Sequence, residues 1–124
     1  MRILKRLLLA VCLLFLLTAG CIFYAFKIEP FRITTNTFAI NEGGSGSVSV
    51  KIIQISDIHI KEDYTYKNLE KVVDRVNRQS PDFVVFTGDL YDNYAKYSDD
   101  SHVISALKKL HGEYGKIAIW GNRD

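Results

Sequence analysis

Three short clusters in this chain carry side chains that can bind a metal ion. Asp57 and His59 lie two residues apart, and the stretches Gly88-Asp89-Leu90-Tyr91-Asp92 and Gly121-Asn122-Arg123-Asp124 follow farther along. Carboxylate, amide and imidazole groups are common ligands of divalent cations. In extended backbone, residues i and i+2 point to the same side, so Asp57 and His59 can converge on one point. The clusters therefore predict one metal site assembled from distant parts of the chain.

Each cluster directly follows a short apolar run that predicts a buried strand. These runs span residues 51–55, 83–86 and 116–120, and segments 66–79 and 98–111 between them have the apolar spacing of amphipathic helices. The order strand, helix, strand, helix, strand predicts an α/β fold with a mostly parallel sheet and right-handed crossovers. Such sheets bind ligands beyond the carboxyl ends of their strands, which is where the three clusters fall.

The chain begins with an uncharged apolar segment, residues 7–26, whose 20 residues are about the length that crosses a bilayer. An uncleaved signal anchor is favoured, because the run is longer than the apolar core of a signal peptide. A cleaved signal peptide and a lipoprotein signal, with its box at Thr18-Ala19-Gly20-Cys21, are the alternatives. Three basic residues precede the segment and two follow it: Arg2, Lys5 and Arg6, then Lys27 and Arg32. The positive-inside rule therefore predicts a single-pass protein of the cell membrane with its remainder on the extracytoplasmic side.

Composition divides the chain into three regions. Residues 1–27 are the membrane anchor or uncleaved signal. In residues 28–47, the β-branched content of 31–38 predicts an edge strand, and the Gly- and Ser-rich stretch 41–47 predicts a flexible loop. Residues 48–124 contain the predicted sheet. Because the chain stops at the third cluster, we expect residues 48–124 to be the front part of a larger domain.

Charge and cysteine content limit the partners and the metal ligands that the chain can have. Beyond residue 26 the chain has 13 basic and 14 acidic residues, so no basic face for nucleic acid is evident and no nucleic-acid partner is expected. Both cysteines, Cys12 and Cys21, lie inside the apolar segment. The remainder therefore has neither a disulfide nor a thiolate ligand, and any metal must be held by oxygen and imidazole.

The motifs Asp57-x-His59, Gly88-Asp89-x-x-Asp92 and Gly121-Asn122-x-Asp124 resemble the opening motifs of the calcineurin-like metallophosphoesterases. The resemblance covers about residues 48–124. With its apolar start, the chain is similar to a bacterial branch of that family that carries an N-terminal anchor or export signal. The resemblance implies the first half of an α/β sandwich, two divalent metal ions (Mn, Fe, Zn or Mg) and hydrolysis of a phosphodiester or phosphomonoester. The later Gly-His and Gly-His-x-His motifs of the family would come after the last residue of this chain.

The resemblance also implies roles for the ligands. By position, Asp57 and His59 would bind the first metal, and Asp89 would bridge both ions with its two oxygens. Asn122 would bind the second metal through its amide oxygen. Asp92 would orient one of the groups that contact a metal.

The third motif departs from the family's usual Gly-Asn-His-Asp/Glu, because Arg123 stands at the place of the histidine. That histidine is the family's candidate acid or phosphate contact, and the acid that follows orients it. The resemblance therefore assigns catalytic roles to Arg123 and Asp124, which could pair with each other. An arginine can stabilise negative charge on a phosphate, but it stays charged near neutral pH and does not transfer a proton.

The sequence thus predicts a membrane-anchored, metal-dependent phosphoesterase that is incomplete in this chain. Its substrate would be a phosphate ester reachable from the membrane, of an envelope or lipid-linked kind. The alternative is a non-catalytic truncated membrane protein or scaffold that retains part of the metal site. We expect the 124-residue fragment alone to be inactive, because half of the ligand set cannot hold two ions tightly. Phosphoryl transfer through an aspartyl nucleophile needs a D-x-D strand end, which Asp57-Ile58-His59 does not provide.

Overall fold

The computed structural model of the protein describes residues 1–40 and 48–123, which belong to two compact units, Met1–Asn36 and Thr37–Asp124. The first unit contains helix α1, Arg2–Lys27, and a single 3-10 turn at Glu29–Phe31. Every residue of α1 is exposed. At 1.5 Å per residue the helix is about 39 Å long, which exceeds the apolar thickness of a bilayer. By length and composition, α1 can cross a membrane.

The predicted edge strand at 31–38 is wrong. Phe31 closes the 3-10 turn, and residues 32–40 form neither helix nor strand. Pro30 stands at the start of this turn, where its missing N–H and fixed φ are tolerated. β-branched residues favour a pleated surface only where a neighbouring strand takes up their backbone groups, so composition alone could not decide this segment. The predicted flexible loop at 41–47 lies outside the described residues.

The second unit contains a three-stranded parallel sheet, as the sequence predicts. Its strands are β1 (Ile52–Ile55), β2 (Phe83–Phe86) and β3 (Gly115–Ala118), arranged in the order β1-β2-β3. The register aligns Ile55 with Phe86 and Phe86 with Ala118, so all three strands end at the same edge. The loops that follow them therefore begin side by side.

Two helices connect these strands: α2 (Tyr66–Asn77) follows β1, and α3 (Asp100–Lys108) follows β2. Asn68 secures the start of α2, where its amide oxygen accepts a hydrogen bond from the Thr65 N–H at 3.1 Å. α2 ends two residues earlier than predicted, ahead of Ser80 at φ 46° and the proline that follows it.

The helices and the sheet enclose one apolar core. Its innermost residues come from both helices, from the sheet and from the loop after β1, and they are Ile60, Leu69, Val73, Val84 and Val103. Ile52 and Ile117 are exposed. The fold is thus α/β, with an apolar N-terminal helix followed by a parallel sheet and its connecting helices.

Candidate metal centre

The loops after β1 and β2 run side by side and are joined through their main chains. Four hydrogen bonds of 2.8–3.2 Å connect them, from the N–H groups of Asp57, His59, Ile60 and Asp92 to the carbonyls of Gly88, Asp89, Leu90 and Ile60. The pairing of the two strands therefore continues past the point where both strands end. It fixes the separation of the first two ligand clusters without involving their side chains.

Three residues of these loops have a left-handed backbone. Asp57 (φ 54°), His59 (φ 50°) and Asp89 (φ 57°) are, with Ser80, the non-glycine residues of positive φ among those described. The left-handed conformation is unfavourable for most residues other than Gly, Asn and Asp, and other residues keep it where surrounding contacts enforce it. The sequence predicted extended backbone at Asp57 and His59, which is wrong, because the ladder to the second loop imposes the other conformation.

The predicted convergence of the side chains is nevertheless confirmed. His59 Nε2 lies 3.5 Å from Asp57 Oδ1 and 4.0 Å from Asp89 Oδ2. One ligand atom from each of the three residues lies within 4.8 Å of the others. The Asp89 side chain is only 13% exposed, His59 is 33% exposed and Asp57 is 64% exposed. The cluster is therefore closed around Asp89 and open to solvent beside Asp57, where the Ser56 hydroxyl donates a hydrogen bond to the carboxylate.

The loop after β3 approaches the cluster by a close backbone contact. A Cβ at Gly121 would collide with the carboxylate and amide of Asp89, and a Cβ at Gly88 would collide with the backbone of Gly121. Gly88 also has φ 99°, which favours glycine. These two glycines thus bring Asn122 and Arg123 beside Asp89. With its amide nitrogen toward Asp89, Asn122 donates to both carboxylate oxygens at 3.1 and 2.9 Å, and the Arg123 N–H donates to Asp89 Oδ1 at 3.2 Å.

The side chain of Arg123 turns to the second loop and not to its own neighbour in sequence. Its Nη1 donates to Asp92 Oδ1 at 2.7 Å. The same Asp92 oxygen lies 3.9 Å from Nδ1 of His59, a buried atom that makes no hydrogen bond within the part of the chain that the structure describes. Asp92 therefore stands between Arg123 and the ring nitrogen of His59 that faces away from the other two acids.

Two tyrosines fasten the second loop to the start of α3. The phenols of Tyr91 and Tyr94 donate to the two oxygens of Asp100, at 3.0 and 2.5 Å, and their rings meet edge to face at 5.1 Å. Burial raises the pKa of Tyr91 to about 12, and the hydrogen bond to Asp100 raises the pKa of Tyr94. Both phenols consequently remain protonated hydrogen-bond donors at neutral pH.

The donor set fits a divalent cation. Two carboxylates and an imidazole converge, and these groups are common ligands of divalent cations. A metal-bound histidine usually donates its other ring N–H to a carboxylate, and Asp92 is placed about 1 Å beyond that hydrogen-bond distance from Nδ1. Asp57, His59 and Asp89 could therefore hold an ion directly, and Asp92 could orient His59.

The structure brings together the predicted residues Asp57, His59, Asp89, Asn122 and Arg123, whereas Asp124 lies outside the described residues. Two features of the site were not predicted: the hydroxyl of Ser56 on Asp57, and the tyrosines on Asp100. Ser56 directly precedes the first ligand, so its position was a usable signal. The sequence carries no comparable signal for the tyrosines, because loop aromatics pack in many ways.

The chain is similar in sequence to a known protein family and to several of its members. A sequence model of the calcineurin-like phosphoesterases matches residues 50–124. The uncharacterized metallophosphoesterase YkuE of Bacillus subtilis is 39% identical over 111 residues, which is 87% of this chain and 39% of that protein. The UDP-2,3-diacylglucosamine pyrophosphatase LpxG of Chlamydia trachomatis is 31% identical over 82% of this chain and 31% of its own length. A transmembrane protein with metallophosphoesterase domain from Bos taurus is 27% identical over 77% of this chain and 21% of its own length.

No solved structure matches significantly. The chain spans about two-fifths of the length of YkuE and less of the other two relatives. Its matched region nevertheless covers the whole parallel sheet and all three ligand clusters. On these grounds the chain belongs to the calcineurin-like phosphoesterase family.

Proposed function

We propose that the full-length protein is a metal-dependent phosphoesterase with a site for two divalent ions. The observation that carries this proposal is the convergence of Asp57, His59 and Asp89, whose ligand atoms lie within 4.8 Å of one another. Asp57 and His59 would hold the first ion. Asp89, with two oxygens and the least exposed of the three side chains, would serve both ions. Asn122 would offer its amide oxygen to the second ion, and Mn²⁺, Fe, Zn²⁺ and Mg²⁺ all suit such oxygen and nitrogen ligands.

When bound to these residues, two divalent ions would supply charge that neutralises phosphate oxygens and would activate water for attack on phosphorus. The protein contributes rigid placement of the ligands through the main-chain ladder between the two loops. Asp92, whose carboxylate lies 3.9 Å from Nδ1 of His59, would orient that ring when a metal is bound. Asn122 approaches Asp89 closely enough to share an ion with it after its amide turns its oxygen inward.

Arg123 is the proposed phosphate contact. Its side chain is 51% exposed, and its tie to Asp92 keeps the guanidinium beside the ligand cluster. From there it stabilises negative charge that develops on the phosphoryl group. We extend a supporting role to Asp124, the acid that follows it in sequence.

The same arginine favours particular leaving groups. Because it does not donate a proton near neutral pH, substrates whose leaving group departs as a stable anion should react best. A phosphate anhydride and an aryl ester meet this condition, and an alkyl ester does not. The relative LpxG is named as the pyrophosphatase of a diacylated sugar nucleotide. We infer that the substrate is a phosphate ester or anhydride of the cell envelope or of a lipid.

A membrane location brings the site near such a substrate. α1 is long and apolar enough to serve as a single-pass anchor, and the charges that flank it favour an extracytoplasmic domain. To test this, Leu14→Arg at the middle of α1 should release the protein from the membrane fraction, since a central arginine costs about 2.5–3.5 kcal/mol on the insertion scale. Ile104→Arg is the control, because it adds the same charge at an exposed position of α3 and should leave the protein in the membrane fraction. Retention of Leu14→Arg in the membrane fraction would contradict the anchor.

Orientation is tested with cysteine labelling. Cys12 and Cys21 are first replaced by alanine, and Glu113→Cys then places one thiol at an exposed position. An impermeant maleimide should label this thiol in intact cells. Labelling only after lysis would place the domain in the cytoplasm.

The activity test uses the full-length protein with Mn²⁺ and an activated aryl phosphodiester. We expect Asp89→Asn to abolish hydrolysis and to lower the bound Mn²⁺ from about two ions per chain, since it removes the proposed bridging charge. Asp63→Asn is the matched control, because Asp63 is an exposed acid whose ion pair among the described residues is with Lys61, away from the ligand cluster. A wild-type protein that binds no Mn²⁺ and hydrolyses nothing would instead support the non-catalytic alternative.

A further inference from the structure

The loop between β2 and α3, residues 87–99, is closed on itself by a small polar cluster. Asp100, the first residue of α3, accepts hydrogen bonds from Tyr91 and Tyr94 on its two carboxylate oxygens. The phenol oxygen of Tyr91 also accepts the Asp99 N–H at 3.4 Å. We call these three side chains, Tyr91, Tyr94 and Asp100, the tyrosine clamp.

Tyr91 is the buried member of the tyrosine clamp. It is only 5% exposed and belongs to the apolar core, and its main chain forms a parallel bridge with the fully buried Ile60. It therefore contacts the first loop through its backbone and α3 through its hydroxyl. A phenylalanine at this position would keep the ring in the core and lose only the link to α3.

The residue that follows Tyr91 connects the tyrosine clamp to the metal centre. The Asp92 N–H donates to the Ile60 carbonyl at 3.1 Å, and its carboxylate pairs with Arg123 and faces Nδ1 of His59. Asp92 is itself 41% exposed on its side chain, so packing does little to hold it. Its position depends on the main chain on either side, which the two tyrosines fasten at positions 91 and 94.

We propose that Tyr91, through its hydrogen bond to Asp100, is a positioning residue that holds Asp92 in register with His59 and Arg123. This inference rests on the proposed function. It gives a role to Tyr91, which lies within the second motif but is not one of the proposed metal ligands. Tyr91 does not touch substrate or metal. It acts by keeping the loop from shifting, so that Asp92 orients His59 for metal binding and Arg123 for phosphate binding.

The test compares Tyr91→Phe with wild-type full-length protein, and Tyr97→Phe is the matched control. Tyr97 lies in the same loop and packs against the core, and its phenol makes no hydrogen bond among the described residues. We expect Tyr91→Phe to fold normally, to bind Mn²⁺ about fivefold more weakly and to lower kcat about tenfold with KM within about twofold, by analogy with groups that orient metal ligands. Tyr97→Phe should match wild type in all three values.

A double-mutant cycle separates positioning from general destabilisation. If Tyr91 acts through Asp92, adding Tyr91→Phe to Asp92→Ala should lower Mn²⁺ affinity and kcat by less than about twofold further. Asp100→Ala should reproduce the effect of Tyr91→Phe. Asp100→Asn should keep Mn²⁺ affinity and kcat close to the wild-type values, because an amide can still accept a hydrogen bond from one phenol and donate one to the other.

Each outcome decides the proposal. Equal values for Tyr91→Phe and wild type would overturn it, and so would a full and additive loss on the Asp92→Ala background. In either case wild-type Mn²⁺ binding and hydrolysis would still support the phosphoesterase. If wild type binds Mn²⁺ but hydrolyses nothing, the Mn²⁺ affinities alone decide the role of Tyr91. A wild-type protein with neither property would overturn the proposed function and, with it, this role for Tyr91.

Discussion

Arg123 and Asp92 form an ion pair, 2.7 Å from Nη1 to Oδ1, that joins the loops after β3 and β2. From the sequence, Arg123 could have paired with Asp124, its immediate neighbour. The pair that the structure shows crosses 31 positions of sequence and places a permanent positive charge beside the ligand cluster. The chemistry of the residue at position 123 should therefore determine which substrates the site accepts.

Replacing Arg123 by histidine should change leaving-group preference. An imidazole can donate a proton to a departing alkoxide, and general acids of this kind typically contribute about 10²–10⁴-fold. We expect Arg123→His to raise the ratio of alkyl to aryl phosphodiester hydrolysis at least about tenfold, since only the alkyl group needs the proton. Steady-state kinetics on matched alkyl and aryl substrates measure this ratio.

Arg78→His serves as the control for that substitution, because Arg78 is exposed at the end of α2 and distant in sequence from all three motifs. It should leave the ratio unchanged. A normally folded Arg123→His protein with the wild-type ratio would show that position 123 does not govern departure of the leaving group.

Gly121→Ala should damage metal binding more than folding. The added Cβ would collide with the carboxylate and amide of Asp89, so the proposed bridging ligand must move. We expect Mn²⁺ affinity to fall at least about tenfold, a loss typical of displaced metal-site groups. Calorimetric Mn²⁺ titration measures it. Gly20→Ala is the control, since a Cβ there meets open space, and unchanged affinity in Gly121→Ala would disprove the close contact.

Tyr91 should make stability depend on pH in the alkaline range. Burial raises its pKa in the folded protein to about 12, whereas the unfolded chain ionises near the ordinary tyrosine value of about 10. The folded state therefore favours the neutral phenol, and its contribution to stability is complete below pH 10 and is lost as pH rises to about 12. Urea unfolding of wild type and Tyr91→Phe should show free energies of unfolding that converge over this interval. A constant difference would contradict the raised pKa.

Asn77 should contribute to stability away from the site. Its amide bridges the ends of both helices, donating to the Lys109 carbonyl at 2.8 Å and accepting the His111 N–H at 2.9 Å. Asn77→Ala should lower the free energy of unfolding by about 1–2 kcal/mol, the usual effect of losing such bonds. Gln79→Ala is the control, because among the described residues its side chain makes one long hydrogen bond, of 3.4 Å to the Arg75 carbonyl. Equal losses in the two variants, measured by urea unfolding, would count against the bridge.

The parallel sheet and the ligand convergence could be predicted because both follow from local patterns. Apolar runs that end on polar clusters mark parallel strands, and strands in consecutive parallel order must end at one edge. Residues 31–38 have the composition of a strand, but they are not part of the sheet that the structure describes. Residue types indicate how well a segment fits the surface of a sheet, whereas strand pairing depends on neighbours that are distant in sequence.

The contacts that were not predicted depend on the path that the loops take after the strands end. The Arg123 pair with Asp92 and the Tyr91 bond to Asp100 require the register of β2 with β3 and the path of residues 87–99. The left-handed backbone at Asp57 and His59 arises from main-chain bonds to the second loop. Asp and His adopt this conformation more readily than most residues, but residue type alone does not show where contacts with a distant loop will impose it.

The main-chain ladder beyond β1 and β2 has an evolutionary consequence. Because peptide groups set the distance between the two loops, the side chains they carry can be exchanged without rebuilding the scaffold. The loop after β3, which meets this scaffold through the close contact of Gly88 and Gly121, carries a comparable exchange, an arginine in place of the family's usual histidine at position 123. Descendants of a common ancestor can in this way diversify their reactions at constant architecture, with innovation confined to the few positions that project from a shared frame.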